Sequence, residues 1–178
     1  DIGVLAGALA LLAVPAPSAR AQTPPTRDEI VAQLNRFETP VEIDVPALRQ
    51  QVQERSKLRS KNEPPPQKRP PIAPELTKQP SYNADIQFDV DTPIVMPASY
   101  QAVGRIADAM VHSNLLPYSF LIVGHINASG RREANALLSQ RRADAIREIL
   151  VNTFKISAKR LQSVGLGEEQ LLDPTNPT

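Results

Sequence analysis

Proline placement constrains this chain more than any other feature. Of its 18 prolines, 13 lie among residues 1–80 and 5 among residues 81–178. Proline fixes φ and carries no backbone donor, so a segment crowded with it supplies neither helix interiors nor sheet ladders. Seven prolines fall between Pro64 and Pro80, which predicts an extended spacer reaching about 3.1 Å per residue, roughly 50 Å in all. The later part is about the size of one small domain. The chain therefore reads as a globular unit at residues 84–178, preceded by a tether at 22–83 that carries short helices and a proline-rich linker.

Residues 1–21 read differently. Ile2–Val14 is uncharged and apolar and is followed by Ala19-Arg20-Ala21, the small-x-small pattern of a signal-peptidase site. This predicts the remnant of a secretory signal peptide and a mature chain that starts near Gln22 and lives outside the cytoplasm. Thirteen apolar residues are short of the about 20 that cross a bilayer.

The composition excludes several functions. The chain has no cysteine, hence no disulfide scaffold, thiolate metal site or cysteine nucleophile. With two histidines and no carboxylates at ligand spacing, neither a metal nor any other cofactor is expected. The net charge of +1 gives no field for a polyanion, so nucleic acid is not an expected partner. No nucleophile–base pair or paired carboxylates stand out, so the chain does not read as an enzyme.

In the first part, Thr26-Arg27-Asp28-Glu29 is a capping box for a helix to about Arg36. Asp44 caps a second helix over 45–60, with Pro46 in its first turn. Arg49, Arg55, Lys57, Arg59, Lys61, Lys68 and Arg69 face only Glu54 and Glu63 over residues 45–70. This predicts either a solvated, self-repelling tether or contact with an anionic envelope surface.

In the second part, Ile86, Phe88 and Val90 alternate with polar residues as in a half-buried strand. Pro97 opens a helix with Tyr100, Val103, Ile106 and Met110 on one stripe. Tyr118–Val123 reads as a buried central strand ending at Gly124-His125. A loop, Ile126–Gly130, leads into a helix over about 131–153, and Leu161–Gly165 is the last strand. The order β-α-β-α-β implies an α/β fold, a mixed sheet with helices packed on it. On the long helix Ala134, Leu138, Ala145, Ile146 and Ile149 define the expected apolar arc, with Asn135 and Arg142 inside it. A buried guanidinium needs an internal carboxylate or an anionic ligand, and both readings stay open for Arg142. Arg131, Arg132 and Arg141 read as surface charges. Asn127 and Arg142 are expected to line one cleft at the carboxyl end of the central strand, with Gly130 allowing close approach to the helix start. His125 reads as a structural hydrogen bonder.

Gly124-His125-Ile126-Asn127-Ala128-Ser129-Gly130, then Asn135, Leu138-Ser139, Arg142-Ala143, Arg160-Leu161 and Val164-Gly165-Leu166-Gly167-Glu168, resembles the C-terminal peptidoglycan-binding domain of outer membrane protein A and of the flagellar stator protein MotB. The resemblance covers about residues 84–178. It implies a non-catalytic binding protein of the cell envelope, held at the cell wall or outer membrane through non-covalent contact with a peptidoglycan stem peptide. In the family an Asp takes the ammonium of diaminopimelate and an Arg its carboxylate. The Arg position is Arg142 and the Asp position is Asn127, with Ile126 where the family has Thr. An amide cannot neutralise an ammonium, so contact weaker by about 1–2 kcal/mol is expected. Asn135, Ile126 and Gly130 support this site, and Gly124 and His125 shape it. The alternative is a degenerate module serving protein–protein assembly in the envelope, and a homodimer is compatible with either. The family's final strand has no counterpart before Thr178, which predicts a gap or an unpaired edge in the sheet.

Overall fold

The computed structural model describes residues 2–6, 23–36, 41–58 and 61–172. Local chemistry starts its helices where the sequence places them. Thr26 Oγ1 accepts from the Glu29 amide at 3.3 Å and the Thr26 amide donates to Glu29 at 2.6 Å, closing the capping box that opens α1 (Arg27–Leu34). Asp44 accepts from the Ala47 amide at 2.9 Å and starts α2 (Val45–Ser56), with Pro46 in the first turn.

Among the described residues the sheet has four strands, β1 (Ile2–Ala6), β2 (Ser81–Ala84), β3 (Phe120–His125) and β4 (Leu161–Gly167), in the order β2-β1-β3-β4. β1 is antiparallel to both neighbours, with Ile2 opposite Ala84 and Gly124. β3 and β4 are parallel, pairing Phe120 with Leu161 and Gly124 with Gly165. β2, β3 and β4 thus point the same way, and the loops that follow them emerge along one edge. Two further helices, α3 (Tyr100–Met110) and α4 (Arg132–Asn152), make the crossovers. The expected α/β architecture, a mixed sheet with helices packed on it, is the one observed.

Three expectations are corrected. Among the described residues the sheet has no gap, because Ile2–Ala6, read as part of a signal peptide, pairs on both sides between β2 and β3, while the outer flank of β2 has no strand beside it. A short apolar run suits a leader and an interior strand equally, and periodicity does not separate them. The rest of the signal reading, residues 7–22, lies outside the described residues, as do residues 173–178. Second, the first strand of the globular part lies at Ser81–Ala84 rather than 86–90. Residues 87–96 fold back on themselves through a Phe88–Val95 bridge, with Asp91 left-handed at φ 54°. Val90 consequently points to solvent, 80% exposed.

Third, the described residues between 23 and 84 do not stand off as a tether. Ile30, Leu34, Leu48, Val52, Ala73 and Leu76 belong to the same buried cluster as Val103, Ile106, Met110, Phe120, Ile122, Ile146 and Leu150. α1 packs on α3, and α2 on β4 and α4. Each large aliphatic side chain buried in this way contributes about 1.5–3 kcal/mol, more than a marginal helix needs to stay docked. The proline-rich stretch turns through short 3₁₀ segments at Pro66–Lys68 and Pro74–Lys78 instead of running straight. Proline has no N–H to satisfy, so such a segment can be laid against a protein surface while its free carbonyls accept from side chains. Pro64 accepts from Arg69 at 3.1 Å and Pro70 from Arg55.

β4 is an edge strand whose backbone groups are taken by side chains. Arg147 donates to Leu161 O at 2.9 Å and Arg49 to Ser163 O at 2.6 and 2.8 Å. Gln140 accepts from the Gly165 amide at 2.8 Å and Ser139 from the Gly167 amide at 2.9 Å. This covering removes the exposed ladder that an edge strand otherwise presents.

Candidate functional site

The site expected from sequence lies at the carboxyl ends of β2, β3 and β4, where open α/β sheets present ligands. α4 approaches this end closely because glycine permits it. A Cβ on Gly165 would stand 2.0 Å from the Gln140 backbone nitrogen, and one on Gly124 2.4 Å from Ser139 O. The Ile126 amide donates to Gly167 O at 3.0 Å and anchors the loop after β3 to the end of β4. Asn127 follows, exposed, with its carbonyl accepting from the Ser129 amide at 2.7 Å. Gly130 has φ 79° and open space where a Cβ would be. Its contribution is a left-handed turn, not the close approach expected of it.

His125, the last residue of β3, is buried, with Nδ1 2.8 Å from the Gln170 carbonyl. A carbonyl only accepts, so Nδ1 carries the proton. Burial lowers the pKa of this imidazole to about 4, keeping it neutral. Its place is structural, tying β3 to the chain beyond β4.

Asn135 on α4 is also buried. Its side-chain nitrogen donates to Ser129 O at 2.8 Å and to Glu168 Oε2 at 2.9 Å. It holds the 126–130 loop by the backbone.

Arg142 is half-buried. Its Nε donates to Thr92 O at 2.9 Å and its guanidinium lies 4.8 Å from the Phe88 ring centroid. Burial pushes its pKa down, and the nearby Asp91 carboxylate offsets part of that effect. Neither terminal nitrogen of this guanidinium has a hydrogen-bond partner among the described residues. Arg142 thus faces the loop after β2, whereas Asn127 lies on the loop after β3. No hydrogen bond joins the two.

The buried face of α4 is rotated from the expected arc. It comprises Arg132, Asn135, Ala136, Ser139, Ala143, Ile146 and Leu150, while Ala134 is exposed. The hydrophobic projection misplaced it because three of these positions are polar and act on β4, Ser129 and Glu169. Arg132, read as a surface charge, is buried and donates to Glu169 at 2.5 and 2.7 Å and to Glu63 at 2.5 Å. Arg55 meets Glu169 at 3.0 Å, and Arg69 meets Glu168 at 2.9 Å and Glu63 at 3.7 Å. Hydrogen bonding to Glu169 holds Arg132 protonated well above the ordinary arginine range. Three arginines and three glutamates thus clamp the end of α2 and residues 63–69 across the start of α4 and the end of β4. Sequence reasoning missed this clamp and treated its basic members as solvated. No local pattern marks it, since Arg132 and Glu169 are 37 residues apart and Arg69 and Glu168 are 99.

The sequence has parallels among known proteins. Two outer membrane porins F, from Pseudomonas aeruginosa and Pseudomonas fluorescens, are each 35% identical to this chain over 86 residues, 48% of its length. The match spans 24% and 26% of those two proteins, so the chain covers about a quarter of the length of these curated relatives. The OmpA family model matches residues 87–178, which include the loop after β2, the 126–130 loop, α4 and β4, and the chain belongs to the OmpA family.

Proposed function

We propose that this chain is a non-catalytic binding protein of the cell envelope whose 84–178 unit contacts a peptidoglycan stem peptide through Arg142. OmpA domains typically associate with peptidoglycan in outer membrane proteins. The observation that carries the reading is the state of Arg142. Arg49, Arg55, Arg69, Arg132, Arg147 and Arg160 each place at least one terminal nitrogen on a carboxylate or backbone oxygen, and Arg142 places none among the described residues. A partly desolvated cation with its terminal donors unused among the described residues suits a ligand carboxylate, for which a charge-assisted bond contributes about 1.5–3 kcal/mol. In the stem peptide that group is the diaminopimelate carboxylate. Asn127 is the acceptor for its ammonium, weaker than the Asp of the family.

Sedimentation with purified sacculi tests this reading. The protein should co-sediment, Arg142→Ala should lower the bound fraction at least tenfold, and Asn127→Asp should raise affinity five- to thirtyfold. Unchanged association in Arg142→Ala would overturn it. Export to the periplasm is part of the proposal, and a mature N-terminus at Gln22, read by N-terminal sequencing, would support it. Such cleavage would also remove β1.

A second reading, assembly with envelope proteins, is favoured by the exposed Val90, Ile94, Met96 and Tyr100, the first two flanking in sequence the Thr92 that meets Arg142. It expects substitution of Val90 and Ile94 by Ser to disrupt a partner complex while leaving sacculus association intact.

A further inference from the structure

The clamp and the 126–130 loop are joined by an unbroken run of hydrogen bonds. Arg69 Nη1 is 2.9 Å from Glu168 Oε1, and Glu168 Oε2 is 2.9 Å from Asn135 Nδ2. The same Nδ2 donates to Ser129 O at 2.8 Å, and the Ser129 amide donates to Asn127 O at 2.7 Å. An amide nitrogen has two hydrogens, and both are used here, so the orientation of Asn135 is fixed by Glu168 on one side and the loop on the other. Glu168 is 6% exposed and has no second cation among the described residues. Arg69 is therefore its counter-charge, in the segment that sequence composition marks as a spacer. Its Nε also bonds Pro64 O at 3.1 Å, so the arginine is held from behind by the proline-rich stretch.

We propose that Arg69 is a positioning residue for the ligand loop. Docked, it neutralises and orients Glu168, which turns Asn135 to hold Ser129 and so sets the backbone around Asn127. Undocked, Glu168 is a buried carboxylate without a cation, which favours rearrangement toward water and releases Asn135. The state of the 55–73 segment and the shape of the binding loop are then linked, and whatever pulls or displaces that segment changes ligand affinity. The affinity part rests on the peptidoglycan reading above, whereas the loop part does not.

Two readouts on the full chain separate them. Amide hydrogen exchange reports the Ser129 N–H, which belongs to the loop, and the Ala73 N–H, which donates to Gln170 Oε1 at 2.9 Å and belongs to the segment. Calorimetry with a disaccharide tripeptide ending in diaminopimelate reports affinity. Arg69→Gln should speed exchange at Ser129 about tenfold or more and weaken the muropeptide three- to tenfold. Arg55→Gln loosens the segment through Glu169 and does not touch Glu168, so it should speed Ala73 alone. If Arg69→Gln speeds Ala73 and leaves Ser129 within twofold of wild type, Arg69 only fastens the segment and the proposal fails. A wild-type protein that ignores the muropeptide while Ser129 responds to Arg69→Gln would overturn the peptidoglycan reading and leave the positioning intact. Should Arg69→Gln not fold, Arg69→Lys, which keeps the charge and loses the Nε bond to Pro64 O, should give an intermediate rate at Ser129; faster exchange at Ala73 with Ser129 unchanged in that variant would overturn the proposal.

Discussion

Arg132 and Arg142 stand on one helix, within three turns of each other, and meet opposite surroundings. Arg132 is closed in by two carboxylates that come from the proline-rich stretch and from the end of β4. Arg142 has a carbonyl, an aromatic face and terminal donors with no partner among the described residues. Desolvation acts on both; the carboxylates at Arg132 more than offset it, whereas at Arg142 the nearby Asp91 offsets only part of it. The difference separates two uses of a buried cation. One holds distant parts of the chain together, and the other keeps terminal donors without a partner among the described residues.

The sharpest way to break this comparison is to remove compensation from the first arginine. Glu169→Ala takes the carboxylate shared by Arg132 and Arg55 and should cost about 3–5 kcal/mol in urea unfolding. A loss below about 1 kcal/mol would mean that water already screens the clamp, making the two arginines alike.

Acidification probes the same end of the sheet. The folded pKa of His125 lies near 4, below the ordinary 6.5. The unfolded chain therefore binds more protons between those values. The stability held above pH 6.5 is lost as pH falls toward 4, by up to about 3 kcal/mol. His125→Gln should flatten that slope in stability measured against pH, and an unchanged slope would place the titrating group elsewhere.

Next in size is Arg142→Met, which removes a desolvated cation that Asp91 compensates only in part. Stability should move by less than about 1 kcal/mol, in either direction, while sacculus binding falls. A destabilisation as large as that of Glu169→Ala would show Arg142 to be structural too. The smallest effect on stability belongs to Asn127→Asp, exposed and outside the clamp, which should stay within about 0.5 kcal/mol of wild type in the same unfolding assay.

What the sequence made legible follows from range. Thr26, Glu29 and Asp44 act on amides three residues away, so their helices could be placed by eye. The apolar run through Val123 marks β3, and Gly124, Asn135 and Arg142 hold fixed spacing because one turn and one helix separate them. Alternation failed over 86–90 because the chain bends at Asp91, so Ile86 is buried and Val90 is not. The docking of residues 23–84 was hidden for another reason. Composition reports that prolines build no ladder, and it is silent on whether their carbonyls find donors such as Arg55 and Arg69. The rotation of α4 was invisible because Ser139, Asn135 and Arg132 look solvent-facing until β4 and Glu169 are set against them.

The covering of β4 has a consequence for how copies of this molecule could come together. With Leu161 O, Ser163 O and the amides of Gly165 and Gly167 all engaged by side chains, a strand arriving on that flank would have to displace Arg147, Arg49, Gln140 and Ser139. The sheet is thus directional as a template. Any lengthening by strand addition, whether ordered assembly or misassembly, is steered away from β4 toward the flank that begins with β2.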